Sequence, residues 1–240
     1  MGGVSFYKTA EDGYLARQKG GIDADRIKND PEFERTRENG AEFGRAGVAA
    51  KLLRTALRAL VLDASDSRMA SRLTREMVKV IQADETNPRG QRNVIDGEAE
   101  LLSGFDFNAN GKLNRTLFAP HTTTIDRVAG TLGVRVAAFI PGNLVAAPQG
   151  ATHCKLVSAG VEVDFEAGKY VVATSASPNI PLGNQNQPLV DHANPVTPNS
   201  THPLFIALGI VFYQEVNGQM YSLKNGAFNA LALVAIDGGA

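Results

Sequence analysis

At 240 residues and a net charge of −1, the chain is long enough to bury a sizeable core and carries no overall charge bias toward nucleic acid or an acidic membrane surface. Its one cysteine, Cys154, excludes an intrachain disulfide, and the absence of an 18-residue apolar run gives no expectation of membrane insertion. Signal-peptide patterning and myristoylation spacing are both missing at Met1-Gly2, so the expected location is the cytoplasm or the inside of an assembled particle.

Charge is unevenly spread. Residues 1–115 hold 19 Lys and Arg with 18 Asp and Glu, whereas residues 116–240 hold 5 and 7. In the first twenty residues, Val4, Phe6, Tyr7, Tyr14 and Leu15 flank Ala10-Glu11-Asp12-Gly13, the pattern of a short hairpin. A hairpin that small is marginal alone in water and must lie on another surface, in this chain or in a neighbour. The polar connector from Gln18 to Asp30 would span roughly 43–47 Å if fully extended.

Asp30-Pro31 predicts a helix start, with Asp as cap and Pro at the first position. Gly40, Gly44 and Gly47 then follow at spacings of four and three. In a helix they share a face that admits another backbone; a break near Asn39-Gly40 is the competing reading. Phe43, Ala46, Ala50, Leu53, Leu57 and Leu60 keep helical spacing to Leu62, and a second helix over 67–83 turns Met69, Leu73, Met77 and Val80 inward. The two form a helical hairpin, followed by a short helix over 97–103.

The period then changes. Phe105, Phe107, Leu113 and Leu117 around Asn108-Ala109-Asn110-Gly111 suggest a second hairpin. Short β-branched runs follow at 134–140, 154–163 and 170–174. Six of the eleven prolines fall within 177–203, which reads as a long surface loop. The apolar runs 204–216 and 227–236, set off by Asn217-Gly218 and Asn225-Gly226, read as central strands. The expected architecture is α+β: an arm and connector (1–30), a helical region (31–104) and an antiparallel β-sandwich (105–240).

The stretches F-Y-K-T-A-E-D-G-Y-L-A-R, R-T-R-E-N-G-A-E-F-G-R-A and G-I-V-F-Y-Q-E-V-N-G…L-K-N-G-A-F-N-A-L resemble a family of uncharacterised bacterial proteins. The resemblance touches both ends of the chain. It implies an N-terminal arm, helices and a β-rich C-terminal domain, and it implies no activity.

Catalytic patterns are absent from the sequence. Asp106 to Gly111 matches the first half of a calcium loop, but its twelfth position is Leu117 in place of the bidentate Glu, and a turn explains the same residues. His121, His153, His192 and His202 have no metal-ligand spacing, and there is no nucleophile or phosphate-loop motif. No enzyme activity, cofactor or metal is expected. The clearest positional signal is basic: Lys51, Arg54 and Arg58 on the first helix, and Arg68, Arg72, Arg75 and Lys79 on the second. Residues 45–92 hold ten basic and five acidic side chains, whereas residues 1–44 hold seven and nine. These stripes suit a solvated face, a phosphate-backbone footprint, or docking on the acidic segment of another copy.

The favoured reading is a structural, self-assembling subunit of a homo-oligomer, filament or shell. Its partners would be other copies of itself, contacted through Val4, Phe6, Tyr7, Tyr14 and Leu15 and through the glycine face. A carbohydrate- or ligand-binding sandwich is one alternative. A nucleic-acid packaging component using the basic stripes is another.

Overall fold

The run Leu204–Val216 is rich in Ile, Val and Phe and forms one strand of 13 residues, β9, around which the other layers are placed. In the computed structural model, residues 3–9, 12–18 and 21–239 are described. The chain is α+β, with 28% helix and 35% strand in mostly antiparallel sheets. Met1-Gly2, Ala10-Glu11 of the expected first turn, and Gly20 lie outside the described residues.

The elements in chain order begin with β1 (Val4–Thr9), β2 (Gly13–Gln18), α1 (Ala24–Asn29), α2 (Glu34–Ala56), α3 (Arg58–Val61) and α4 (Met69–Gln82). After them come α5 (Leu113–Thr116), β3 (His121–Asp126), β4 (Thr131–Val136), α6 (Pro141–Leu144), β5 (His153–Asp164) and β6 (Lys169–Ala176). The chain closes with β7 (Ile180–Pro181), β8 (Val190–Pro195), β9, β10 (Gln219–Ser222) and β11 (Ala230–Asp237). β1 and β2 form a two-stranded sheet of their own. The main sheet runs β10-β9-β5-β6, with β11 also on β9 and β7 on β5; a third sheet runs β3-β4-β8.

From Leu204 to Phe212, β9 is buried on both faces. Phe205 and Ala207 meet Ala159, Val161 and Val163 of β5 and the inner faces of α2 and α4, including Leu53, Leu73 and Met77. Leu204, Ile206, Leu208, Ile210 and Phe212 belong to the opposite cluster, with Leu132, Val134 and Val136 of β4. A strand covered on both sides has no solvent face to make polar, so its apolar run is continuous instead of alternating. One of the two clusters contains both helical and strand residues, so a single core crosses position 104/105.

Both C-terminal Asn-Gly pairs adopt left-handed backbone. Asn217 (φ 51°) and Gly218 (φ 77°) make the tight turn from β9 to β10. Asn225 (φ 52°) and Gly226 (φ 79°) sit in a 3-10 turn before β11, where a Cβ on residue 226 would collide with the Asp63 carbonyl. Asn229 fastens the same corner: its Nδ2 donates to the Asp63 carbonyl (2.8 Å), and its Oδ1 accepts from the Phe212 N–H (2.9 Å).

Several expectations give way. α2 is continuous through Asn39-Gly40, and Asp30 caps a short 3-10 turn, Pro31–Phe33, ahead of it. The connector holds α1, so it is not extended. No hairpin forms over 105–117: Phe105 and Phe107 bond to Leu233 and Leu231 of β11, and residues 113–116 are helical. Within 177–203 the chain forms β7 and β8, and β8 buries Val190, His192 and Asn194 on its inner face.

Those buried polar residues make a small network between the sheets. Ser158 Oγ lies 2.9 Å from His192 Nδ1, and Asn194 Nδ2 donates to Ser158 Oγ (3.0 Å). Burial holds the His192 pKa below its ordinary 6.5, against a smaller opposing pull from Asp191. The unfolded chain therefore takes up this proton more readily than the folded one. The resulting stability is fully present above pH 6.5 and is lost as pH falls from 6.5 toward the lower folded value, with a limiting slope of about 1.4 kcal/mol per pH unit. Chemical denaturation at stepped pH should show this loss in the native protein and a flatter profile in His192→Gln. An identical loss in the variant would assign the proton to another group.

Candidate self-association site

Among the uncovered surfaces of the described residues are the terminal hairpin and a groove between α2 and the turn from β5 into β6. In the hairpin, pairing of Phe6 with Ala16 and Lys8 with Tyr14 places Val4, Phe6, Tyr14 and Ala16 on one face. Tyr7 and Leu15 pair on the other. Phe6 is 80% exposed and Tyr14 82% exposed, and Val4 and Tyr7 are exposed as well. Within the hairpin, Lys8 Nζ lies 5.1 Å from the Tyr14 ring centre and the Arg17 guanidinium 5.5 Å from that of Tyr7. Such contacts contribute only about 0.5–1 kcal/mol each at exposed sites.

The groove starts from the helix. Gly40, Gly44 and Gly47 lie on one face of α2, and a Cβ added to any of them would meet no neighbouring atom. Nothing else in the described chain requires glycine there. Gly40, Gly44, Val48 and Lys51 line one wall, with Val48 70% exposed; Phe165 and Tyr170 form the other, and residues 93–96 close one end. The groove encloses about 1060 Å³. Gly47 is outside its lining.

The far wall continues into β6, which pairs with β5 and forms the edge of the main sheet. Tyr170 and Val172 stand opposite Val163 and Val161, so both project on the helix side of the sheet. Both are partly exposed. An edge with unpaired amides beside an apolar groove is a surface on which an added strand finds hydrogen bonds and side-chain contacts together.

One groove wall is tied to the segment that follows α4. Glu42 of α2 is buried and accepts from Arg92 Nε (2.8 Å), Arg92 Nη2 (3.1 Å) and the Gly90 N–H (2.8 Å). Burial pushes the Glu42 carboxyl up, but the Arg92 guanidinium and the Gly90 N–H together hold it below the ordinary value. Asp84 is likewise desolvated yet held low by N–H donors from Asn87, Asn93 and Thr86. With Arg89 beside Glu38, these contacts join acidic residues of 1–44 to basic residues of 45–92 within one chain. Part of the charge complementarity expected between copies is therefore met internally.

The basic stripes divide in the same way. Arg72 pairs with Asp66, donates to the carbonyls of Asp106 (2.7 Å) and Phe107 (3.1 Å), and lies 5.1 Å from the Phe105 ring centre. Arg75 and Lys79 share Glu76. Among the described residues, Lys51, Arg54, Arg58 and Arg68 have no ion pair, and they come from both helices.

The remaining chemical candidates are tied up by the backbone. Asp106 Oδ1 accepts from the Leu113 N–H (3.0 Å), and Asn108 Nδ2 donates to the carbonyls of Asn229 (2.8 Å) and Ala227 (3.1 Å). Among the described residues, no three His, Cys, Asp or Glu side chains gather as a metal site. The buried Cys154 thiol is pushed up to about 12 by desolvation and is a poor nucleophile. No described helix is long and apolar enough to cross a membrane. No protein-family model, curated protein or solved structure matches the chain.

Glycine inside a helix costs roughly 0.5–1 kcal/mol relative to alanine, and the space around Gly44 is open. Gly44→Ala should therefore raise the unfolding free energy of the dissociated chain by about that amount in urea titration. A loss of stability would mean that the chain itself packs against the glycine.

Proposed function

We propose that the protein is a structural subunit that associates with copies of itself through its N-terminal hairpin. The supporting observation is the exposed aromatic face of β1 and β2. A two-stranded ribbon gains little from its own pairing, and Phe6 and Tyr14 stand in solvent, 80% and 82% exposed. Covering such a side chain stabilises by roughly 1.5–3 kcal/mol. In this reading the layered helices and antiparallel sheets, taken as a β-sandwich backed by the helical hairpin, serve as the rigid body that presents the arm. The role is structural and not catalytic.

Light scattering on the purified protein should give a mass above the 25.5 kDa of one chain. Phe6→Ser/Tyr14→Ser should shift it toward 25.5 kDa while the melting of the main body is retained. A native protein that stays at the single-chain mass at high concentration would remove the basis for self-association. An unchanged mass in the double variant would remove the arm from it.

A further inference from the structure

We infer that Asn217-Gly218, at the turn from β9 to β10, is a site of spontaneous covalent modification, where the asparagine converts through a cyclic imide to aspartate and isoaspartate. The inference is independent of the self-association reading. The chain holds four Asn-Gly pairs, at 39–40, 110–111, 217–218 and 225–226. All four meet the local requirement, because glycine has no side chain to obstruct attack by its own nitrogen on the preceding carboxamide. The fold separates them.

The step balances with water alone. The Gly218 backbone nitrogen loses its proton and bonds to Asn217 Cγ, the Cγ–Nδ2 bond breaks, and the former carboxamide nitrogen takes up a proton and leaves as ammonia. Water then opens the imide. Opening at Cγ gives aspartate, whereas opening at the Asn217 backbone carbonyl leaves the main chain running through Cβ and Cγ as isoaspartate. Either product replaces a neutral side chain with a carboxylate.

Three of the four glycines are held. Gly40 lies inside α2, past its first turn, so its N–H belongs to the helix ladder and its peptide cannot turn back toward Asn39 Cγ. Gly111 is buried where a Cβ would collide with the Asn229 and Phe228 carbonyls. Gly226 is buried on the Asp63 carbonyl, and its own carbonyl accepts from the Asn229 N–H (3.0 Å). Nothing comparable holds Gly218. Both residues of its pair are exposed, and a Cβ on residue 218 would meet no atom within 4 Å. Among the described residues, neither the Asn217 carboxamide nor the Gly218 N–H has a hydrogen-bond partner. The left-handed backbone of the turn must relax to bring nitrogen and Cγ together, and a solvated hairpin tip opens more cheaply than a buried turn.

Isoaspartate alters the turn itself. The two-residue connection closes Val216 on Gln219, and an added backbone atom breaks its match to the twist of the strands. Among the described residues β10 pairs with β9 alone, so its release frees Gln214–Val216 while β5 and β11 keep the rest of β9.

The test ages the full-length protein at mildly alkaline pH beside a synthetic peptide of residues 213–222. Mass spectrometry of digests, with electron-transfer fragmentation to tell isoaspartate from aspartate, should find Asn217 gaining one mass unit before the other three. Its rate should exceed theirs by at least about tenfold, the ratio that about 1.4 kcal/mol of local opening gives. Hydrogen exchange at 219–222 should lose protection in aged native protein and keep it in aged Asn217→Gly, whose glycine suits the left-handed turn and carries no carboxamide. Conversion of Asn39, Asn110 or Asn225 ahead of Asn217 would overturn the inference. So would an Asn217 still intact in the folded protein when the free peptide has fully reacted.

Discussion

Strand β9 has no open face from Leu204 to Phe212 and, along its first seven residues, no open edge. β5 pairs along one side from Leu204 to Tyr213, while β11 covers the other from Leu204 to Ile210 and β10 takes over from Tyr213. Every backbone donor and acceptor buried this deeply needs a partner, because leaving one unmet costs about 1–3 kcal/mol. The order of the remaining elements follows from that requirement. The helices cover one face, the β3-β4-β8 sheet the other, and Asn229 ties the end of β9 to the turn that separates the helices.

The same arrangement leaves β6 at the margin. β6 and β10 are the two ends of the β10-β9-β5-β6 order, and α2 runs beside the β6 end. The buried Glu42–Arg92 pair fastens α2 to the segment after α4, whose turn Asp84 organises. Breaking such a pair by removing one partner typically costs about 3–5 kcal/mol. At the far end of the molecule, Arg127 grips the Asp237 carboxylate and the Ser200 and His202 carbonyls, closing the end of β11 in a comparable way.

Much of this fold was legible where apolar pattern and turn chemistry agree. The β9 run, the inward Leu73–Met77–Val80 face of α4 and the two Asn-Gly turns all carry signals that tertiary contacts reinforce. β8 was hidden because two of its inward positions are His192 and Asn194, polar residues made acceptable by Ser158 on the facing strand. β3 was hidden because an edge strand of His, Thr and Asp has no apolar alternation to detect. The 105–117 segment mimicked a hairpin because Asn108 serves tertiary bonds to Ala227 and Asn229, which local pattern cannot reveal. Of the candidate site, the hairpin and the glycine spacing could be read directly. The groove could not, since its walls come from residues 40–55, 93–96 and 165–170.

Hydrogen exchange across a concentration series addresses self-association most directly, because it reads the arm residue by residue. If a second copy covers the hairpin, amides of residues 4–9 and 13–18 should gain protection as concentration rises. Hairpin amides that exchange at the rate of an open chain at every concentration would contradict the proposal at its root.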